Sequence, residues 1–393
     1  GLQDARSPRE VPKTPRPATR LLDEPDSGVL WANLVCPLPM TNLHIVRRRP
    51  EHDERIFALY GEVFGQDSLE KSRKRFDWQY FQNPDTGEDG PVILVAMEGD
   101  AVLGQIANMT FPFWWGDREV RAGQCIDYFV RPDTQGKGVG KALCDRCADE
   151  VDVVLALGLT PSSYPLFRKM YTDIGPVPSF MKILDGRALA RKKWGAAGQL
   201  AGPFVDAGIR LFFPTPGLRE DIEVREVSEF VDEYDDLWRR ARGSFVTTVR
   251  RDARYLRWKY SLCPFRQYRV LEARRQGALA GFAVVRVEGK PEFRRGILVD
   301  LFCDASDRAT VDALLAAANA DFKRDGVARV EAYCYSRLLA GALKRHGFRP
   351  GRTTMQYCVS YRGTPDGRGE PKAVIGDLSN WNLFIGDGDL DRA

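Results

Sequence analysis

The sequence predicts an α/β protein, of mixed α+β type, built from two copies of one unit in tandem along 393 residues. Three observations carry that expectation. An aromatic block recurs at an offset of 180: Trp78, Tyr80 and Pro84 fall on Trp258, Tyr260 and Pro264. Each block is followed by a strand–turn–strand pattern and then by a strand with Asp at its third position. These strands are Cys125-Ile-Asp127-Tyr-Phe-Val130 and Leu298-Val-Asp300-Leu-Phe-Cys303. Finally, a glycine loop leads from the first of them into an amphipathic helix, so antiparallel strands give way to a strand–helix–strand crossover. Each copy is therefore expected to be a mixed, mostly antiparallel, twisted sheet flanked by helices. Two copies are too few for a solenoid, and about 150 residues per domain suits two globular domains.

The elements follow in order. Residues 1–39 are rich in proline, lack periodicity and read as a disordered leader, with Met40 a candidate natural start. The first copy spans 40–184. Apolar residues at helical spacing predict a helix over 51–64, and a more polar one follows over 69–81. Strands are expected over 92–98, 101–110, 118–120 and 123–130, then a helix over 138–150, a strand over 153–157 and a helix over 164–171. The stretch Phe111-Pro-Phe-Trp-Trp115-Gly116 caps a hairpin and is expected to pack on the second copy. A Gly/Ala/Pro-rich linker, 185–221, joins the copies, and the second spans 222–361. The tail, 362–393, carries Trp381 and Phe384 as anchors onto a domain surface.

Composition narrows the function. Lys and Arg number 58 against 54 Asp and Glu, too mild a balance to imply a nucleic-acid or membrane-surface partner. No apolar run reaches the ~18 residues of a membrane helix. With three histidines, His44, His52 and His346, a His-rich metal site is excluded, and no metal is expected. The acidic Asp387-Gly-Asp-Leu-Asp391 lacks the glycine and the distal Glu of a calcium loop. The eight cysteines are scattered and read as reduced thiols of a cytoplasmic protein. Cys144 and Cys147 stand at i and i+3 of a helix, an ordinary buried stripe.

The feature that carries chemistry is Gln135-Gly136-Lys137-Gly138-Val139-Gly140-Lys141. Its glycines let backbone N–H groups converge at a helix start, an anion site suited to a pyrophosphate, and Lys137 and Lys141 add positive charge. A Walker A loop would need a hydroxyl after the lysine, where Ala142 stands, and a dinucleotide loop would need glycine at position 141. The pattern Q/R-x-x-G-x-G/A fits. In this loop, and in a later helix ending Tyr171-Thr-Asp-Ile-Gly175, the chain resembles the GNAT N-acetyltransferase superfamily. The resemblance implies acetyl-CoA or a related acyl-CoA as co-substrate, bound by the loop and by backbone groups of Phe129 and Val130. It implies Tyr171 as general acid for the departing thiolate. Asp127, on the strand before the loop where that family often has a carboxylate, becomes the candidate general base. Pro176 stands where the family usually has Phe.

The second copy lacks the glycine loop after Cys303, and Leu343 replaces the tyrosine, so it is expected to be degenerate and to serve packing or acceptor binding. The implied activity is acyl transfer to an amine of a small-molecule or sugar acceptor by direct attack in a ternary complex. The alternatives are a non-catalytic binding or regulatory protein, or a transferase using a longer acyl-CoA, an acyl-carrier protein or an aminoacyl-tRNA. Acceptor, acyl length and oligomeric state stay open.

Overall fold

The structure, a computed structural model, describes residues 42–195, 198, 202, 204–208, 221–353, 355–361 and 371–388. The leader and Met40 lie outside them. The chain opens with β1 (His44–Arg47), then α1 (Asp53–Phe64) and α2 (Gln66–Phe76). Helix α1 buries Ile56, Leu59 and Tyr60 and stops at Gly65, whose φ of 84° suits glycine. A π-helical turn, Asp77–Phe81, carries the first aromatic block. Three antiparallel strands follow: β2 (Val92–Glu98), β3 (Ala101–Trp115) and β4 (Arg118–Val130). Next come α3 (Val139–Ala148), β5 (Val153–Leu159), α4 (Tyr164–Met170), β6 (Thr172–Pro176), β7 (Ser179–Ile183) and α5 (Gly186–Trp194).

The strands expected over 118–120 and 123–130 are one. Phe111–Trp115 are not the cap of a hairpin but its outer end, paired from Phe111 opposite Ala122 to Trp115 opposite Arg118. These aromatics do pack on the second half: β3 pairs there with β9 (Thr247–Val249), and Trp115 stacks on Tyr361.

The second half repeats the plan. Its strands are β8 (Glu223–Val227), β9, β10 (Arg269–Arg275), β11 (Ala278–Lys290), β12 (Phe293–Cys303), β13 (Val327–Tyr335), β14 (Arg349–Pro350), β15 (Gln356–Tyr361) and β16 (Trp381–Phe384). The second aromatic block again sits in a π-helical turn, Arg257–Ser261. Two sheets result, in the orders β1-β2-β3-β4-β5-β15-β6 and β8-β10-β11-β12-β13-β7-β14. Within each, the pair joined by the long crossover helix is parallel, β4 with β5 and β12 with β13. Strands β9 and β16 bridge the two sheets between β3 and β13.

These orders correct the contiguous division at 40–184 and 222–361. Strand β7, from the first stretch, lies in the second sheet against β13, and β15, from the second stretch, lies in the first sheet against β5. The two halves exchange a strand. The exchange is favoured by burial: Tyr357, Cys358 and Val359 of β15 are fully buried, Cys358 in the first half's core and Tyr357 against Tyr335 and Trp381 at the seam. The tail also differs from a surface anchor. Trp381, Leu383 and Phe384 are buried in the seam as β16.

At the seam the two aromatic blocks meet. Trp78 Nε1 donates to the Trp258 carbonyl (3.0 Å) and Trp258 Nε1 to the Trp78 carbonyl (2.9 Å), with the rings stacked 5.0 Å apart. Each indole thus satisfies its one donor in a buried site.

The exchange sets an expectation. Expressed alone, residues 42–184 leave the β5 edge open and β7 without its sheet, and should aggregate. Co-expression with residues 221–393 should restore a soluble complex on size-exclusion chromatography. A monomeric, cooperatively folding 42–184 fragment would contradict the arrangement.

Candidate active site

Strand β4 has to do two incompatible things. It stays paired with β3 up to Val130, opposite Gly104, but its pairing with β5 ends at Gln124 opposite Leu155. The divergence is taken up by a bulge: Gln105 faces Phe129 and Ala107 faces Ile126, leaving two residues of β4 against one of β3. Asp127 sits in the bulge with φ of 47°, a left-handed conformation uncommon outside glycine.

The Asp127 carboxylate holds this bend. Arg75 Nη2 donates to Oδ1 (2.7 Å), while Gln79 Nε2 (3.1 Å) and Tyr80 Oη (2.6 Å) donate to Oδ2. Arg75 and Asp127 are both nearly buried, so the pair is poorly screened. Burial opposes the guanidinium charge, but the Asp127 carboxylate together with Tyr60 and Tyr80 outweighs it and raises the Arg75 pKa.

Between the diverging ends of β4 and β5 a cleft of about 810 Å³ opens. The glycine loop forms its rim. Gly136 (φ 78°) and Gly138 (φ 89°) turn the chain into α3, which begins at Gly138 with no side-chain cap and no acidic residue in its first turn. The first-turn amides of Val139, Gly140 and Lys141 have no carbonyl of their own helix to meet, so this terminus is open to an anion. Tyr128 lies across the rim, its ring edge-on to Phe167 at 5.3 Å and its hydroxyl where a side chain on Gly140 would project. Burial raises the Tyr128 pKa, so the phenol keeps its proton.

Phe129, Val130, Gln135, Gly136, Gly138, Gly140 and Lys141 all line the cleft, as does Asp127. Val139 is buried beneath the rim and Lys137 projects from the loop into solvent. Two expectations need correction. Helix α4 ends at Met170, so Tyr171 falls just past its end rather than on its cleft-facing side. Its hydroxyl donates to the Cys144 carbonyl (2.9 Å) in the core beside α3, and it is Phe167, one turn earlier, that faces the cleft. Tyr171 is therefore not placed to protonate a leaving group. Asp127 lines the cleft but is no free base, because its oxygens are already bonded by Arg75, Gln79 and Tyr80.

Arg75, Gln79 and Tyr128 were not singled out in the sequence. Only Tyr80 left a trace, through its recurrence as Tyr260. Among the described residues no cluster of His, Cys, Asp and Glu could hold a metal, and no helix is long and apolar enough to cross a membrane.

The second half has a bulge beside Asp300, without the left-handed residue, and a closed site. Asp300 accepts from Arg251 and from Tyr260 Oη (3.0 Å), and β12 leaves β13 after Leu298 opposite Ala332. Here β16 occupies the opening, pairing with the free end of β13. Asp387 just beyond it accepts from Arg251 Nη2 (2.9 Å), and burial pushes its carboxyl above the usual range. The following helix, Arg308–Arg324, is capped by its own Asp307, which accepts from the Thr310 amide (3.0 Å). No helix terminus is left for a phosphate.

Residues 54–156 match the acetyltransferase (GNAT) family. This stretch is a GNAT domain. Over about four-fifths of its length the chain also shares the fold of larger solved structures. A GCN5-related N-acetyltransferase from Anabaena variabilis is 11% identical, with a TM-score of 0.57, over 81% of this chain and 72% of that one. N-myristoyltransferase from Saccharomyces cerevisiae, solved with myristoyl-CoA, is 13% identical, with a TM-score of 0.52, over 86% of this chain and 89% of that one. Eis1 from Mycobacterium abscessus is 14% identical, with a TM-score of 0.50, over 81% and 73%. No curated protein matches the chain in sequence.

The position of Tyr171 has a measurable consequence. Tyr171→Phe removes a buried hydrogen bond and should cost about 1 kcal/mol of stability in urea unfolding. With the GNAT cleft untouched, steady-state turnover should stay within about threefold of wild type. A loss of about 10-fold or more at unchanged stability would return Tyr171 to the reaction.

Proposed function

We propose that this chain is an N-acyltransferase that moves an acetyl or related acyl group from acyl-CoA to the amine of a small-molecule acceptor. One observation carries the reading: the uncapped N-terminus of α3 opens directly into the split between β4 and β5. A pyrophosphate on the loop amides would lead a pantetheine arm into that split, along β4 at Phe129 and Val130, which line it. Acyl-CoA binding by the fold's relatives supports this, including the myristoyl-CoA of the yeast N-myristoyltransferase.

In the reaction the amine nitrogen forms a bond to the acyl carbon, the carbon–sulfur bond breaks, and CoA leaves as its thiolate. A thiol has a pKa of ~8.5, so the thiolate is a competent leaving group near neutral pH without an enzymic acid. The amine must arrive neutral, and with Asp127 engaged by Arg75 its proton passes to water. What the protein supplies is chiefly position, replacing an encounter of two solutes by one held geometry. Backbone N–H groups of the splayed strand can also steady the charge that develops on the thioester oxygen. The second half, its split filled by β16, works as a scaffold.

A second reading, a non-catalytic acyl-CoA-binding protein, draws on the engagement of both Asp127 and Tyr171. Calorimetry and turnover separate the readings. Acetyl-CoA should bind at one site per chain, and Gly138→Glu should abolish binding by setting a carboxylate, on a strained backbone, over the helix terminus. Two equal sites, or none, would refute the assignment. Binding without transfer to any amine would favour the second reading.

Proton loss to water predicts a pH profile set by the acceptor. Log kcat/KM should rise with a slope of about 1 up to the acceptor's own pKa, and the break should move when an amine of lower pKa is used. A break that stays at one pH for two such amines would reveal an enzymic base.

A further inference from the structure

The cleft does not end at the loop. Successive residues of a strand face opposite sides, so where Val130 points toward α3, Phe129 points toward α1. On that side the cleft is walled by Tyr60, Val63, Phe64 and Phe129. The three rings form one cluster, with centroids 4.8 Å (Tyr60–Phe64), 5.4 Å (Tyr60–Phe129) and 5.9 Å (Phe64–Phe129) apart. Tyr60 and Phe129 are buried, but Phe64, at the end of α1, is 44% exposed. The shelf is thus rigid at its base and open to solvent at its lip.

Its charge is equally specific. Among the described residues lining the cleft the one carboxylate is Asp127, already paired with Arg75, and the one ammonium, Lys141, is bonded to Asp145 (2.7 Å) on the loop side. A second cationic group on an acceptor would be drawn out of water with no further carboxylate among those residues to meet it, which is costly. An apolar or aromatic group would gain contact with ring edges held in place before it arrives.

Resting on the acyltransferase reading, we propose that this shelf selects the acceptor, and that the acceptor is a primary amine carried on an apolar or aromatic group, an arylalkylamine type, rather than a polyamine or a multiply charged amino sugar. The ring packs on Phe64 and Phe129 and the amine points toward the β4 bulge. The openness at Phe64 favours an incoming acceptor over an acyl chain, which a fatty acyl-CoA would have to bury along its length.

The test uses the full chain with 2-phenylethylamine and spermidine as acceptors, and acetyl-CoA and octanoyl-CoA as donors. Phenylethylamine should exceed spermidine in kcat/KM by about 10-fold or more. Phe64→Ala should raise its KM by about 10-fold and leave acetyl-CoA affinity unchanged, and Phe64→Leu should recover part of the loss. Calorimetry should show phenylethylamine binding to the CoA-saturated protein, weakened in the same variant. Preference for spermidine, no phenylethylamine binding, or an unchanged KM in Phe64→Ala would overturn the proposal. So would a Phe64→Ala effect confined to octanoyl-CoA, which would give the shelf to the acyl chain. Those outcomes leave the acyltransferase reading standing, whereas absence of acetyl-CoA binding removes both.

Discussion

A carboxylate set into a bulge organises the first half of this protein. For a cleft to exist, β4 must part from β5 without leaving β3, and the extra residue that allows this is forced into a left-handed conformation costing of order 1–3 kcal/mol. Asp127 occupies that position and returns the cost through charge-assisted bonds from Arg75 and hydrogen bonds from Gln79 and Tyr80. The donors come from α2 and the π-helical turn after it. The same turn carries Trp78 to the seam, so the geometry of the cleft and the joining of the halves rest on one short segment.

The second half shows how little separates an open site from a closed one. Asp300, Arg251 and Tyr260 reproduce the clamp, and β12 parts from β13 as β4 does from β5. Two local differences close it. Asp307 caps the helix that would receive a phosphate, and the segment bearing β16 and Asp387 fills the divergence. The frame is common to both halves, and the capability resides in a helix start and a stretch of chain.

The sequence was a good guide where a residue's role depends on its neighbours in the chain. The loop Gln135–Gly140 was legible because its conformation follows from glycine alone, and the strand–helix–strand crossover of the first half because hydrophobic periodicity marks it. It failed where the role depends on a partner far along the chain. The family resemblance implies Tyr171 as the acid, but α4 stops one residue short, which turns the side chain toward Cys144. Arg75 looked like one cation in a polar helix until the fold set Asp127 beside it, 52 positions away. The strand exchange was hidden for a related reason. The sequences of β7 and β15 suit a buried strand in either sheet, and only three-dimensional packing decides which.

That exchange bears on how ligands come and go. Many two-lobed enzymes work as a jaw, swinging about a hinge to trap what they bind. Here each lobe holds a strand of the other in a ladder of backbone hydrogen bonds, β7 on β13 and β15 on β5, and β9 and β16 sew the remaining edge. A hinge would have to tear those ladders. Whatever enters the cleft would therefore pass small parts of a fixed body: the glycine rim before α3, the exposed ring of Phe64, and the phenol of Tyr128.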